Sequence, residues 1–508
     1  MRRRRFLETM AVGGLAALAS PARGQSPVAA FARPLRLPGR RGLLAWTVVD
    51  RPLLLTAGIQ REPILPGRTT DLWGYRDGHG AVNPVLRVRR GHTLDVTLQN
   101  RLGEDTTIHW HGLHVDERND GSGLHPVAPN DVYVYRFAVR NRAGLYWYHA
   151  HPHHRTGAQI HQGLAGMLIV EDEEDDALRT QLDLTPGVTD LPLMIQDKAI
   201  DPLNRLRHGM GEEDWIGNRV FVNWTAQPFL DVATRLYRLR LLNASNARVY
   251  RLAFTLHGVP LPFHLIGTDC GLLGGPHTVS EVFLAPGQRA DVLLDLALTR
   301  AGDEVLLTSL PYDPMENEPG AAVSEVHRHN PVPMGESLEI LLLRVRARRV
   351  VPFKLPDRFS SLGAAPSLEH PVRRFRLHTD GMRWYINGIN YHAHMHAAHV
   401  IVPRGAKEIW EITNDMQSMP HPMHLHGFQF RVIARSGSPA QVQALASAGG
   451  LTSQDLGLLD TVLVWPGETV RLALDFAHDF PGEQHYMFHC HNLEHEDQGM
   501  MLDVKVAG

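Results

Sequence analysis

The stretch His489 to Met501 reads HCHNLEHEDQGMM. In an extended strand successive side chains point to opposite faces, so His489 and His491 share one face and Cys490 takes the other. His495 and Met500 follow closely, so a thiolate, an imidazole and a weak thioether come from one short segment. With one further His, that is the ligand set of a blue-copper electron-transfer site. The two imidazoles on the other face can hold different metal ions, and the peptide bonds flanking Cys490 join them covalently to its sulfur. An electron arriving at Cys490 would have a short bonded route to whatever His489 and His491 bind.

Three further patterns repeat the spacing: His109-Trp-His111-Gly, Tyr146-Trp-Tyr-His149-Ala-His151 and His421-Pro-Met-His424-Leu-His426-Gly. Each i,i+2 pair places both imidazoles on one strand face. The four pairs His109/His111, His149/His151, His424/His426 and His489/His491 suffice for several ions with open positions for dioxygen. His421 and His495 remain to complete the site with Cys490 and Met500. Imidazole suits copper, zinc, iron and nickel alike, but a single Cys with two His and a Met selects copper. The other cysteine, Cys270 in GTDCGLLGG, reads as a small buried residue, and no disulfide is expected. A further run, Tyr391 to His399, would put His392, His394 and His396 on one strand face; it could bind a surface metal, but a solvated polar face is the favoured reading.

The elements that position these groups recur three times in the same order. An alternating strand ends in Asn at Leu94–Asn100, Tyr237–Asn243 and Trp410–Asn414. A Pro-led turn into another strand begins at Pro129, Pro286 and Pro466, and an apolar strand closes each set at Gly166, Leu338 and Met501. Ordered recurrence at a domain-sized period indicates tandem copies of one fold, and period-2 alternation with Pro/Gly turns makes that fold an all-β sandwich. The expected units are 35–172, 185–347 and 370–508. The acidic run Glu171–Asp176 reads as a solvated linker, Arg346 to Arg374 as a second connector, and Gln441 to Ala448 as a short helix or loop. After Asn243 the middle unit carries no His, so the first and third units are expected to meet and share a metal cluster that the second holds in place.

A net charge of −3 gives no reason to expect nucleic acid or an anionic membrane as partner. At the N-terminus, MRRRRFLETM, an apolar run and SPARGQ read as a cleavable export signal, residues 1–25, and Arg3-Arg4-Arg5-Phe6-Leu7 matches the twin-arginine type. The expected location is periplasmic or secreted. The apolar run is too short to span a membrane, and no later segment could. A monomer is expected.

With all four signatures in place, the chain resembles the three-domain bacterial multicopper oxidases, the laccase and cuprous or metal oxidase family, over nearly all its mature length. GLAGMLIVED, LPLMIQDKAID, RLLNASNAR and HEDQGMM also resemble the bacterial branch. The resemblance implies three tandem cupredoxin-like Greek-key β-sandwich domains and four copper ions. His421, Cys490, His495 and Met500 match the type 1 ligands, and His109 and His424 the type 2 ligands. His111, His149 and His491 match one type 3 ion, and His151, His426 and His489 the other. Dioxygen reduction consumes protons, so a buried cluster needs acids nearby; Asp120 and Glu496 stand where the family's proton donors lie.

What the resemblance implies is one-electron oxidation of a small donor coupled to reduction of dioxygen to water. Cuprous oxidases of the copper-efflux kind carry a Met-rich segment over the type 1 site, because thioethers suit Cu(I). The corresponding interval here, Pro311 to Met334, holds only Met315 and Met334. Without that lid the edge of a type 1 His should be open, which favours laccase-like oxidation of phenols and aromatic amines. Metal-ion oxidation is the alternative, with Asp415, Met416 and Met419 as a possible docking site whose favoured reading is loop packing. A copper-free scaffold, as some cupredoxin-like relatives are, is disfavoured by the complete ligand set.

Overall fold

Each of the three Asn-terminated strands is fixed by the same bonds. The computed structural model describes residues 30–209, 214–318, 332–363, 367–381, 383–393 and 399–508. In it the strands run Thr93–Asn100, Leu236–Asn243 and Lys407–Asn414. The carboxamide of Asn100 donates to the Val127 and Glu104 carbonyls, that of Asn243 to Leu284 and Arg248, and that of Asn414 to Val464 and Met419. Their backbone carbonyls accept from Asn130, Gly287 and Gly467 at 2.9, 3.0 and 3.0 Å. Those three residues follow the prolines of the repeated turn and have φ of 71°, 84° and 73°, a left-handed geometry that Gly and Asn tolerate. The recurrence in sequence is thus a repeated corner: a buried amide satisfies two crossing carbonyls, and the Pro-led turn docks on its backbone.

The strands form six sheets in three pairs, within 42–171, 190–347 and 372–507. In every pair the opening strand runs parallel to the Asn-terminated one: Leu53–Glu62 with Thr93–Asn100, Asp190–Lys198 with Leu236–Asn243, and Val372–Asp380 with Lys407–Asn414. An apolar core fills each pair, with Trp110, Leu239 and Trp410 among the buried residues of the first, second and third. These are the three tandem cupredoxin-like sandwiches. The export signal lies outside the described residues, as do His394 and His396. The expected short helix is present at Ala440–Gln443.

The acidic run is not a solvated linker. Glu171 ends a strand, Asp172 caps the helix Glu173–Gln181 by accepting from the Asp175 N–H, and Asp175 is fully buried. Acids suit the first turn of a helix, where they meet its unpaired N–H groups. Asp175 also meets Arg238 at 2.6 Å and Arg240 at 3.2 Å, two residues on one face of the second sandwich's Asn-terminated strand, with Asp190 and Asp291 completing the set. The run is therefore a buried ionic joint between the first and second sandwiches. The connector after Arg346 is also anchored: Ser360 accepts from Arg142 of the first sandwich at 2.6 Å.

Candidate metal centre

The strand His109–His111 pairs with Gly144–His149 so that His109 lies opposite His149. In the third sandwich, His421–Leu425 pairs with Gln484–Cys490 so that His424 lies opposite His489. Each i,i+2 pair keeps its rings together, with centroids 5.0 to 5.9 Å apart. The two sandwiches then bring their edges together. His109 stacks on His426 at 3.9 Å and His111 on His424 at 3.8 Å, while His151 Nε2 lies 3.4 Å from His489 Nε2. All eight rings are buried.

Their tautomers are set from behind. Nδ1 of His109, His149, His424 and His489 donates to the carbonyls of Asp120, Ala150, Asp460 and Cys490 at 2.7 to 3.0 Å. In His109, His149 and His424 this leaves Nε2 without a proton, and in all three that atom is buried and has no hydrogen-bond partner. Backbone carbonyls behind a metal-ligating His do this same work. Burial lowers the basicity of His109, His111, His149, His426 and His491 well below the ordinary range and brings His151 to about 4. The cluster is a set of neutral lone pairs that fits copper or another borderline ion.

The ring nitrogens of His151, His426 and His489 converge within 4.8 Å of one another, as expected of one ligand set. Those of His111 and His149 converge with His109, and His424 with His109 and His426. Glycine is required beside the cluster. A Cβ on Gly112 would lie 2.3 Å from Asp460 Oδ2, and one on Gly121 would lie 1.8 Å from the Ile108 carbonyl oxygen.

On the other face, Cys490 Sγ lies 3.4 Å from His421 Nδ1 and 3.6 Å from His495 Nδ1, and the two nitrogens are 3.2 Å apart. Three donors in a plane around one ion, with bonds of about 2.0–2.3 Å, sit roughly 3.5–3.8 Å from one another. The triangle fits an ion with little movement. His495 comes from the helix Leu493–Asp497, after which Met500 is strapped by two bonds: its N–H donates to the His495 carbonyl at 2.9 Å, and its carbonyl accepts from Cys490 at 3.1 Å. Met500 and Cys490 are both fully buried, and burial pushes the thiol up, so a cation must displace its proton. Cys270 is buried too, and neither cysteine is in a disulfide.

Both acids read from the sequence reach the cluster. Asp120 Oδ2 is 2.8 Å from His426 Nδ1, and burial raises this carboxyl well above its usual range. Glu496 lies 3.4 Å from His151 and 3.2 Å from His489; burial would raise it, but the two imidazoles carry it below the usual range.

Sequence reasoning missed Asp460, Arg289 and Asp214. Asp460 Oδ1 is 3.0 Å from His111 Nε2, and its carboxylate takes both ends of the Arg289 guanidinium. Arg289, from the second sandwich, also donates to the Leu145 carbonyl of the first at 3.1 Å. One side chain thereby ties all three sandwiches together behind the cluster. The expected open edge of a type 1 His is not found. His421 and His495 are fully buried, His421 Nε2 lies 2.7 Å from the Ser418 hydroxyl, and His495 Nε2 lies 2.9 Å from Asp214 Oδ1. The residue that covers His495 comes from the middle third of the chain, where no local pattern points to it. In the suggested docking loop, Asp415 pairs with Arg376, Met419 packs on the third core, and Met416 is half exposed.

A cysteine–histidine triangle backing onto an eight-histidine cluster, on three cupredoxin-like sandwiches, defines a copper oxidase class, and the comparisons agree. Family profiles described as multicopper oxidase match residues 60–175 and 355–508. The chain is similar to the McoA multicopper oxidase of the hyperthermophile Aquifex aeolicus, at 35% identity and a TM-score of 0.84, over 94% of this chain and 99% of that one. It is 28% identical to the multicopper oxidase mco of Staphylococcus epidermidis over 84% of this chain and 82% of that protein. It is also 30% identical to the cell division protein FtsP of Xenorhabdus nematophila over 90% of each. The chain belongs to the multicopper oxidase family.

Proposed function

We propose that this protein is a copper-dependent oxidase that takes single electrons from a small reducing donor and passes them to dioxygen, releasing water. The observation that carries this reading is the place of Cys490: its Sγ closes the triangle with His421 and His495, and the residues bonded to it on either side enter the histidine cluster. His421, Cys490 and His495, with Met500 as axial thioether, would hold type 1 copper. His109 and His424 would hold the type 2 ion, His111, His149 and His491 one type 3 ion, and His151, His426 and His489 the other. Copper supplies one-electron transfer beside Cys490 and dioxygen reduction among the histidines.

The chain's own residues do the rest. Burial excludes water from both sites, and the carbonyls behind the rings hold each lone pair inward. Asp120, kept protonated by burial, and Glu496 hold protons beside different histidines of the cluster. Asp120→Asn keeps the shape and removes the acid. Stopped-flow measurements should show reoxidation by dioxygen slowed more than reduction of the blue site; equal slowing of both would make Asp120 structural.

Phenols and aromatic amines are the first reading for the donor, because no Met-rich run equips the chain for Cu(I). A second reading, metal-ion oxidation, is favoured by Asp214: a carboxylate on the imidazole of His495 can dock a cation and shields that edge from bulky rings. Steady-state kinetics on fully copper-loaded protein with phenols, Cu(I), Fe(II) and Mn(II) separate the two. Phenol turnover without added copper is expected. If phenols react only with excess Cu(II) present and Cu(I) is oxidised much faster, the second reading replaces the first. A blue, loaded protein that oxidises none of these would favour the scaffold reading.

A further inference from the structure

Two pairs of imidazoles stack closely in the cluster, His109 on His426 and His111 on His424, at 3.9 and 3.8 Å with interplanar angles of 20° and 9°. Among the described residues one other histidine pair does the same. His154 and His392 lie with centroids 4.0 Å apart and planes 28° from parallel, outside the cluster.

Both partners are held in place for a reason that packing does not supply. His154 has φ of 64°, the left-handed region that a non-glycine residue enters at a cost, and strain of this kind gathers at ligand sites. It follows His151 of the cluster by three residues and is exposed, so no core contact compels the conformation. His392 is fixed from the opposite side. Its Nε2 donates to the Asp497 carbonyl at 2.9 Å, which leaves Nδ1 as the lone pair, and that atom is buried with no hydrogen-bond partner. The same arrangement, a carbonyl on one ring nitrogen and an unpartnered lone pair on the other, marks His109, His149 and His424.

Asp497 joins the two. Its carboxylate accepts the N–H groups of Thr156 and Gly157, just after His154, at 2.8 and 2.9 Å, while its carbonyl holds His392. The backbone at Tyr391 is tied to the Gly499 carbonyl at 2.9 Å. The pair is therefore preorganised by the turn that carries His495 and Glu496, yet it opens to solvent through His154.

We propose that His154 and His392 form an additional binding site for a divalent transition-metal ion, Cu(II) first, at the surface beside the cluster. Two imidazoles with water in the remaining positions suit the tetragonal nitrogen–oxygen geometry of Cu(II), which also binds such donors more tightly than the other first-row divalent ions. The comparison with the stacked cluster pairs rests on the copper reading of the cluster; the test does not.

The test is equilibrium dialysis of copper-loaded full-length protein against graded Cu(II), counting copper per chain, with the paramagnetic resonance spectrum recorded alongside. The wild type should take up one more ion than His154→Gln/His392→Gln, with nitrogen coupling that the variant lacks. The blue colour and turnover should be equal in the two proteins. His394→Gln/His396→Gln should keep the extra ion. Equal copper counts in the wild type and His154→Gln/His392→Gln would overturn the site, and so would loss of the ion only in His394→Gln/His396→Gln. A failure of the cluster itself would show separately, as missing copper and colour in every protein.

Discussion

Cys490→Ser should give a colourless protein that still folds and still holds copper among its histidines. The blue colour of such proteins comes from charge transfer out of a thiolate, and Cys490 is the one sulfur in the triangle with His421 and His495. Serine fits the same fully buried position and can accept the Asn492 N–H that now points at the sulfur at 3.4 Å. Turnover should fall to background, because the bonded route from the triangle to His489 and His491 begins at that sulfur. Visible absorption, copper content and oxygen consumption read the three effects separately. A variant that stayed blue and active would remove the assignment of both sites.

Asp460→Asn should destabilise the protein and strip its cluster while sparing the blue site. The Arg289 guanidinium is fully buried, and Asp460 together with Asp269 is what balances it. Removing one partner of a buried pair leaves an uncompensated charge and costs about 3–5 kcal/mol. In a protein of this size that lowers the melting temperature by on the order of 10 °C. The same change withdraws the carboxylate from His111, which now accepts that ring's Nε2–H at 3.0 Å, so cluster copper should be lost before the copper beside Cys490. Arg289→Met combined with Asp460→Asn should melt higher than Asp460→Asn alone, since no charge is then stranded. An Asp460→Asn protein with unchanged melting and copper content would show that the clamp carries nothing.

The histidine pairs were legible because the information is local: a spacing of two on a strand decides which face a ring takes, and flanking Trp or Leu decides that the strand is buried. The three Asn corners were legible for the same reason, although what the asparagines do was not. The residues that went unread depend on distance along the chain. Asp460 and Arg289 are 171 positions apart and stand in segments that resemble ordinary strand starts. The run Glu171–Asp176 carries the composition of a solvated linker; only Arg238 and Arg240, themselves indistinguishable from a polar strand face, turn Asp175 inward. The covered edge of His495 likewise needed Asp214, which belongs to a different sandwich.

His151 and His489 are 338 positions apart, and Asp120 and His426 are 306 apart. A ribosome makes the first sandwich long before the last, so that sandwich can fold while its four imidazoles still face solvent as half of a site. Through all that time they form a chelating edge open to any stray ion. The cluster closes only when the strand Gln484–Cys490 has been made and docked, which makes metal retention a record of completed synthesis. A chain cut short before His489 would keep two finished sandwiches and an exposed half-site, and would bind metal loosely and without selectivity.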